Sequence, residues 1–447
     1  YVVTHLMLMG GQQEFWLRFP PVLWSMLSVA LIFPLARRWR LTGRRVAWYA
    51  LALMAAAPIA VQYAQEMRPY ALYLLFTLIS FWNLDRALRT NRLHNWLGFA
   101  LASAGGTLTH FFYSFLLTSQ ALFVAGLFVL RRLRWPQFMR FSGSALTGYA
   151  ALFVAANPFT LVVFAQRYLG ALAGLPTHGL VTDAGQKLSN PDTLNVSFFV
   201  KGLLPFYGGG EGAALVLFNG LALAGLLALL LRNRQRLALF LLWLLLAPAL
   251  VLIYLQFRQQ FFAIRYLLFV LPAYLLLVAY GLTFLSEKAG APLRWRPASQ
   301  AIPWAGLLLL LAFDLNQARA EYLKPKDDWR RVGAFLAANV RPGDGVAAPD
   351  VQFFIRFYAP TQPGTILDAN DLGPHEEALA NSERFWFVWS DYTLRPVEDV
   401  RQWVNALPGV TIQLDPRIKL IYVHPGLTQA EMLAEAQQFT IPPPSLP

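Results

Sequence analysis

Apolar runs of about 15 to 20 residues, the length that crosses a bilayer as helix, recur through the first 318 positions of the chain. They are Phe19–Ala36, Val46–Ala64, Tyr70–Leu88, Trp96–His110, Phe112–Leu130, Phe141–Ala156, Gly212–Leu231, Leu237–Leu255, Tyr266–Leu285 and Ile302–Asn316. The pattern predicts ten membrane helices. From Glu321 the texture changes to short alternating elements. Helices are expected at Trp329–Asn339, Val351–Tyr358 and Pro396–Ala406, and strands at Gly345–Pro349, Arg384–Ser390, Val410–Leu414 and Lys419–Val423. Such alternation predicts a small α/β domain. Arg341-Pro342-Gly343-Asp344-Gly345 reads as the turn between its first helix and first strand. The tail Ile441-Pro442-Pro443-Pro444-Ser445 is expected to be disordered. Domain boundaries are therefore placed at 1–318 and 319–447, with a long loop at 157–211 in the first part.

Loop charge orients the helices. Arg37–Arg45, Asp85–Arg92, Arg131–Arg140, Arg232–Arg236 and Glu287–Arg296 together hold 18 basic residues, whereas the alternate segments hold 6. The positive-inside rule makes the first set cytoplasmic. It also requires a turn near His110, because the stretch from Trp96 to Leu130 has no strong breaker and both Arg92 and Arg131 must lie inside. Both ends of the chain then face outward. The chain begins with Tyr1 and has no cleavable leader pattern, so one further helix is expected upstream. The loop Asn157–Glu211, rich in Leu and aromatic residues, suits either short surface helices roofing a cavity or a packing connector.

Composition agrees with a membrane protein: 57% of residues are hydrophobic, 14% are charged, and the mean hydropathy is +0.44. The net charge of +13 does not indicate a nucleic-acid partner. Lys plus Arg outnumber Asp plus Glu by 25 to 8 through Ala318, but fall to 12 against 16 from Arg319 onward. The excess belongs to the membrane part. Cysteine is absent, which excludes disulfides, thiolate metal sites and a cysteine nucleophile. No Walker or dinucleotide glycine loop precedes a helix, and no metal-binding motif is evident. No repeat of solenoid or propeller period is found.

The eight carboxylates before Arg319 narrow the candidate chemistry. Asp85 and Glu287 fall in cytoplasmic loops, Asp314 near the end of the last helix, and Asp183, Asp192 and Glu211 in the long loop. Glu14 and Glu66 are each followed by an arginine near the outer boundary. There Glu14, Arg18, Glu66, Arg68, His110, Arg258 and Arg265 collect. Ionisable groups at a membrane boundary point to function, and arginines clamp a lipid phosphate while a carboxylate beside them takes a proton. Each group also has a plainer reading. Gln62 to Ala71 suits an interfacial turn with Pro69 opening a helix, His110 a hydrogen-bonded core histidine, and Arg258 and Arg265 interfacial anchors. Phe111-Phe112-Tyr113 suits an aromatic belt.

Several segments, taken in order, resemble the bacterial relatives of the dolichyl-phosphate-mannose–protein mannosyltransferases, which include the aminoarabinose transferases of lipid A and have the GT-C membrane fold. They are Gly11-Gln12-Gln13-Glu14-Phe15-Trp16-Leu17-Arg18-Phe19-Pro20, Tyr63-Ala64-Gln65-Glu66-Met67-Arg68-Pro69-Tyr70-Ala71-Leu72, Leu108-Thr109-His110-Phe111-Phe112 and Arg265-Tyr266-Leu267-Leu268-Phe269-Val270-Leu271-Pro272. Asp328-Trp329-Arg330 through Pro342-Gly343-Asp344 resembles the start of the extracytoplasmic domain of many members. The resemblance implies a polytopic GT-C membrane protein with a C-terminal extracytoplasmic α/β domain. It further implies inverting transfer of a sugar from a polyprenyl-phosphate carrier to an acceptor on the outer face. Glu66, Arg68 and Tyr70 match positions near the donor phosphate, Arg265 and Tyr266 match the outer-end motif of a later helix, and His110 matches a common histidine. The family's catalytic carboxylate lies in the first external loop, which is expected upstream of Tyr1, and Glu14 does not receive that role.

The expectation is thus a multi-pass enzyme of the plasma membrane. Its partners are membrane lipid, a polyprenyl-phosphate-linked sugar and a protein or glycolipid acceptor. Cofactors are not assigned, and a divalent metal stays open. Glu66, Arg68, Tyr70, His110, Arg258, Arg265 and Tyr266 form the candidate phosphate site. The alternatives are a flippase or transporter for lipid-linked sugars, or a non-catalytic membrane subunit. Carboxylates and arginines gathered at the helix ends, rather than at mid-membrane, weigh against a transport path.

Overall fold

A computed structural model describes residues 14–39, 41, 43–172, 204–208, 210–258, 263–290, 296–323, 327–349, 351–367, 372–390 and 398–444. It divides into two compact units, Tyr1–Leu323 and Lys324–Pro447.

The first unit is helical. Its principal helices are α1 (Glu14–Arg38), α2 (Gly43–Ala56), α3 (Pro58–Ala64), α4 (Tyr70–Thr90), α5 (Leu93–Thr109), α6 (Tyr113–Val129) and α7 (Trp135–Leu172). After the short turn α8 (Leu204–Tyr207) come α9 (Ala213–Arg232), α10 (Arg234–Leu241), α11 (Ala247–Arg258), α12 (Leu271–Gly290) and α13 (Arg296–Tyr322). Among the described residues five helices are long and apolar enough to cross a membrane, and six if the bent pair α2–α3 is one span. All ten apolar runs fall on helix, and α5 and α6 are separate, divided at His110 as loop charge requires.

Where the structure departs from the expected elements, proline explains most of it. Val46–Ala64 is not one helix: Pro58 starts α3, and the axis turns by 54°. Proline lacks the N–H and crowds the preceding turn. The run Leu237–Leu255 contains a π-helical turn at Leu242–Leu246, a widened turn that accommodates Pro248 four residues after Leu244. The helix expected to stop at Ala156 continues through Pro158 to Leu172. Phe159–Leu172 is mostly apolar, interrupted by Gln166 and Arg167, and contains no proline. The loop expected from Asn157 therefore begins as helix, while residues 173–203, with Asp183 and Asp192, lie outside the described part. At 38 residues α7 is about 57 Å long, more than hydrocarbon thickness needs.

The segment Ile264–Ala289, a 3-10 turn (Ile264–Val270) running into α12, is buried throughout its apolar window. A helix apolar on all sides belongs at the centre of a bundle. It meets α9 with backbones in contact. A Cβ on Gly281 would collide with the carbonyl of Leu221, and one on Gly225 with the carbonyl of Leu277, the small-residue packing typical of membrane helices. Gly281→Leu is expected to destabilise the protein by about 3 kcal/mol. Thermal unfolding in detergent reads this directly, and a melting temperature equal to wild type would contradict the close crossing.

Asp85, expected in a loop, is instead inside α4 and buried. Its carboxylate accepts from Arg38 Nε (2.8 Å), Arg89 Nε (2.9 Å) and Arg236 Nη2, tying α1, α4 and α10 at one end of the bundle. Asp314 likewise lies within α13 rather than near its end, and is buried.

The second unit is an α/β domain of five strands in the order β2-β1-β3-β5-β4. The strands are β1 (Gly345–Ala347), β2 (Thr365–Leu367), β3 (Phe385–Ser390), β4 (Val410–Asp415) and β5 (Ile418–Val423), and the helices α14 (Trp329–Asn339), α15 (Gln352–Tyr358), α16 (Leu372–Ala380), α17 (Glu398–Ala406) and α18 (Gln429–Ala436). β1 is parallel to β2 and β3, and β5 is antiparallel to β3 and β4. β3 is central and covered on both faces. Trp386 and Val388 pack with Phe335, Ile355 and Met432, while Phe385 and Phe387 pack with Val400 and Val404. β2, α16 and α18 are additions to the expected elements. The tail is also pinned, because Arg331 Nε donates to the Pro442 carbonyl (2.8 Å) and Thr440 N–H to Asn339 Oδ1 (2.9 Å).

A buried ion pair joins the starts of the neighbouring strands β1 and β3. Arg384, just before β3, donates to both oxygens of Asp344 (3.0 and 2.7 Å), and Trp386 Nε1 donates to the same carboxylate (3.0 Å). Glu435 of α18 accepts from Tyr422 (2.6 Å) and lies 2.9 Å from His424 Nδ1. Burial pushes the Glu435 carboxyl up, but bonds from Tyr422 and His424, with the charges of His424 and Arg384, outweigh it and hold it below the usual range.

Candidate active site

At the bundle end opposite the Asp85 cluster, three connections converge: Gln65–Pro69 between α3 and α4, His110–Phe112 between α5 and α6, and the start of the 3-10 turn at Ile264. The first is a tight turn. Arg68 N–H donates to the Glu66 carbonyl (2.7 Å), and Pro69, at φ −69°, caps α4. The fixed φ of proline suits a helix start, so Tyr70 becomes the first residue of α4 and points its ring into the cluster. His110 ends α5 in extended conformation (φ −153°, ψ 123°), and its Nδ1 accepts from Phe112 N–H (3.3 Å). Because Ile264–Ala289 runs through the bundle centre, Arg265 and Tyr266 enter this end from the middle.

Four of the expected residues are brought together. Arg265 Nε donates to the Tyr70 hydroxyl at 3.0 Å, and its guanidinium carbon lies 5.9 Å from the Tyr70 ring centre and 5.8 Å from that of Tyr266. His110 packs against Tyr70 (5.8 Å between ring centres) and Tyr266 (5.6 Å). The result is a cation held among aromatic rings, an arrangement in which guanidinium charge is retained at low hydration cost. Glu66 and Arg68 are beside it, 3.7 Å apart, with Arg68 about half exposed. Arg68 acts electrostatically on Tyr70, and both Glu66 and Arg265 act on Tyr63. Arg258 ends α11, and its side chain lies outside the described residues, as does that of Glu14. Arg18 is exposed on α1.

The cluster also contains residues that the sequence reading did not assign to the phosphate site. Tyr73 stacks on His110 (5.2 Å, 21° between planes), Tyr63 meets Tyr70 edge-on (5.2 Å), and Phe112 meets Tyr266 (5.1 Å). Tyr254 packs on Phe111 (5.0 Å). Tyr70 and Tyr73 are three apart on one helix face, which was a readable sign. The aromatic residues Phe111 and Phe112, expected as a belt, pack on His110 and Tyr254 instead of serving only as an outer rim. Among the described residues, no group of three or more His, Cys, Asp or Glu gathers as a metal site.

Residues 1–159 match the family model described as dolichyl-phosphate-mannose-protein mannosyltransferase. No curated protein matches the sequence. Among solved structures, the fold is similar to that of ArnT from Cupriavidus metallidurans bound to undecaprenyl phosphate, with a TM-score of 0.55 at 13% identity over 93% of this chain and 85% of that one. The same protein in the apo state gives 0.51 at 14% identity, over 91% and 83%. Together these identify the chain as a multi-pass membrane protein of the GT-C fold, similar to the dolichyl-phosphate-mannose-protein mannosyltransferases and to ArnT.

Proposed function

We propose that the protein is a membrane glycosyltransferase that takes a sugar from a polyprenyl-phosphate donor and transfers it to a protein or glycolipid acceptor at the outer face of the membrane. The observation that carries this reading is the Arg265 guanidinium held by Tyr70 and ringed by Tyr266 and His110 at one end of an apolar bundle. Such a fixed cation suits the phosphate of a lipid whose chain lies among apolar helices. Similarity to the mannosyltransferase family and to ArnT, solved with undecaprenyl phosphate, supports the same donor class.

In this reading the chemistry is displacement at the anomeric carbon. The acceptor hydroxyl oxygen bonds to the anomeric carbon as the sugar–phosphate bond breaks, its proton passes to water, and the lipid phosphate departs with increased negative charge. Arg265, positioned by Tyr70, stabilises that charge, and preorganised donors of this kind are worth about 10²–10³ in rate. Arg68 contributes from the mouth, with Glu66 orienting it. Arg258 is assigned to donor attraction. The roles given to these residues are binding and charge stabilisation. The basic connections of the opposite end would be cytoplasmic and the α/β domain extracytoplasmic, in the plasma membrane.

The test is an assay of the natural full-length protein in vesicles with a panel of labelled polyprenyl-phosphate sugars. Label that moves from the lipid to a protein or glycolipid fraction supports the proposal. Intact donor across the panel, with the protein shown to be folded, opposes it.

A further inference from the structure

The Asp85 cluster borders a cavity of about 390 Å³, at the bundle end away from Arg265. Its polar wall includes Asp85, Arg89, Arg132 and Arg236, and much of the remainder is apolar, including Phe81 and Leu127. The volume is in the range of small-molecule sites, about 300–1,000 Å³.

The charge balance is the unusual feature. Both oxygens of Asp85 are fully used: Oδ2 accepts from Arg38 Nε and Arg89 Nε, and Oδ1 from Arg89 Nη2 and Arg236 Nη2. A carboxylate has about four lone-pair sites, so Asp85 is saturated. One negative charge thus faces three guanidinium groups, and Arg132 adds a fourth on the cavity wall. The Arg236 side chain is only 12% exposed and that of Asp85 5%, so water screens Arg236 poorly, whereas Arg38, Arg89 and Arg132 carry the positive charge out to the cavity mouth. Trp39 packs against Arg236 with its ring centre 5.0 Å from the guanidinium carbon, which supplies no negative charge. Among the described residues that line the cavity, Asp85 is the one acid, and a further anion would balance the wall.

We infer that the cavity binds a phosphate headgroup, with the headgroup of an anionic phospholipid as the occupant and its acyl chain against the apolar wall. Basic pockets between membrane helices take such headgroups, and a polar rim over apolar side chains fits an amphiphile better than a free ion. The site is distinct from the donor cluster around Arg265 and does not depend on the transfer reaction proposed above.

Native mass spectrometry of the full-length protein in detergent tests the inference with three probes: phosphatidylglycerol, phosphatidylcholine and inorganic phosphate. Phosphatidylglycerol is expected to be retained over phosphatidylcholine. Arg132→Gln, at an exposed position, is expected to lower phosphatidylglycerol affinity about 5-fold, since a basic residue near a lipid headgroup is worth about 1 kcal/mol. Arg44→Gln, outside the cavity, should leave it unchanged. Displacement of the lipid by millimolar phosphate would support the same headgroup chemistry, and phosphate binding lost in Arg132→Gln without lipid preference would assign the occupant to a soluble phosphate. Equal retention of the two lipids with no phosphate binding would overturn the site. So would phosphatidylglycerol affinity that is the same in Arg132→Gln and wild type.

Discussion

Arg265→Ala is expected to lower transfer from a polyprenyl-phosphate sugar by about 100-fold or more while leaving the folded protein intact. The magnitude follows from losing one preorganised donor to a leaving phosphate. The side chain is central for a physical reason: it enters, half-buried, at the start of the segment Ile264–Ala289, whose apolar core is buried, and is bonded to Tyr70 at 3.0 Å, so its position is set by the bundle. Arg265→Lys should recover only part of the loss, because an ammonium cannot keep the Tyr70 bond and a two-nitrogen phosphate contact in the same geometry. Arg68 sits about half exposed, where solvent weakens its field, and Arg68→Ala should have a smaller effect. Donor titrations with rates at saturation separate the two. Wild-type turnover in Arg265→Ala would remove it from the site.

The second large effect is on stability. Asp344→Ala leaves Arg384 buried at 3% exposure without the carboxylate that takes two of its hydrogen bonds, and strips an acceptor from Trp386. Breaking a buried pair by removing one partner costs about 3–5 kcal/mol, a large share of the stability of a small domain. Protease resistance of the segment from Lys324 onward in the full-length protein should fall sharply. The double variant Asp344→Ala with Arg384→Leu should recover part of the loss, since the uncompensated charge is then gone. Equal resistance in Asp344→Ala and wild type would show that the pair is not holding the sheet.

Hydrophobic runs and loop charge made most of the membrane unit legible. The division at His110 followed from needing Arg92 and Arg131 on one side, although no proline marks it and Gly105-Gly106 fall inside the preceding helix. What periodicity misses is how prolines are absorbed: Pro58 breaks a run, Pro248 sits beside a π turn, and Pro158 is carried inside a helix. Neighbouring contacts decide among these outcomes, and they are not local in sequence. β2 has three residues, too few for an alternating pattern, whereas α18 carried an unused sign in its Thr428–Glu431 capping box.

The candidate site was legible as chemistry but not as geometry. Arginines near the boundary could be counted, and the resemblance gathered Tyr70, His110, Arg265 and Tyr266. The 195 positions between Tyr70 and Arg265 hide their hydrogen bond. Asp85 shows the converse. In the sequence it is one acid in a basic stretch, and only the fold draws Arg38 and Arg236 onto it alongside Arg89, its neighbour one helical turn away.

The most direct test of the central claim is photocrosslinking with an undecaprenyl-phosphate probe carrying its reactive group near the phosphate, applied to the full-length protein and to Arg265→Ala. The account predicts labelled peptides containing Tyr70, His110 or Tyr266 in wild type, and loss of that labelling in the variant. Labelling spread along the helices, or undiminished in Arg265→Ala, would contradict it.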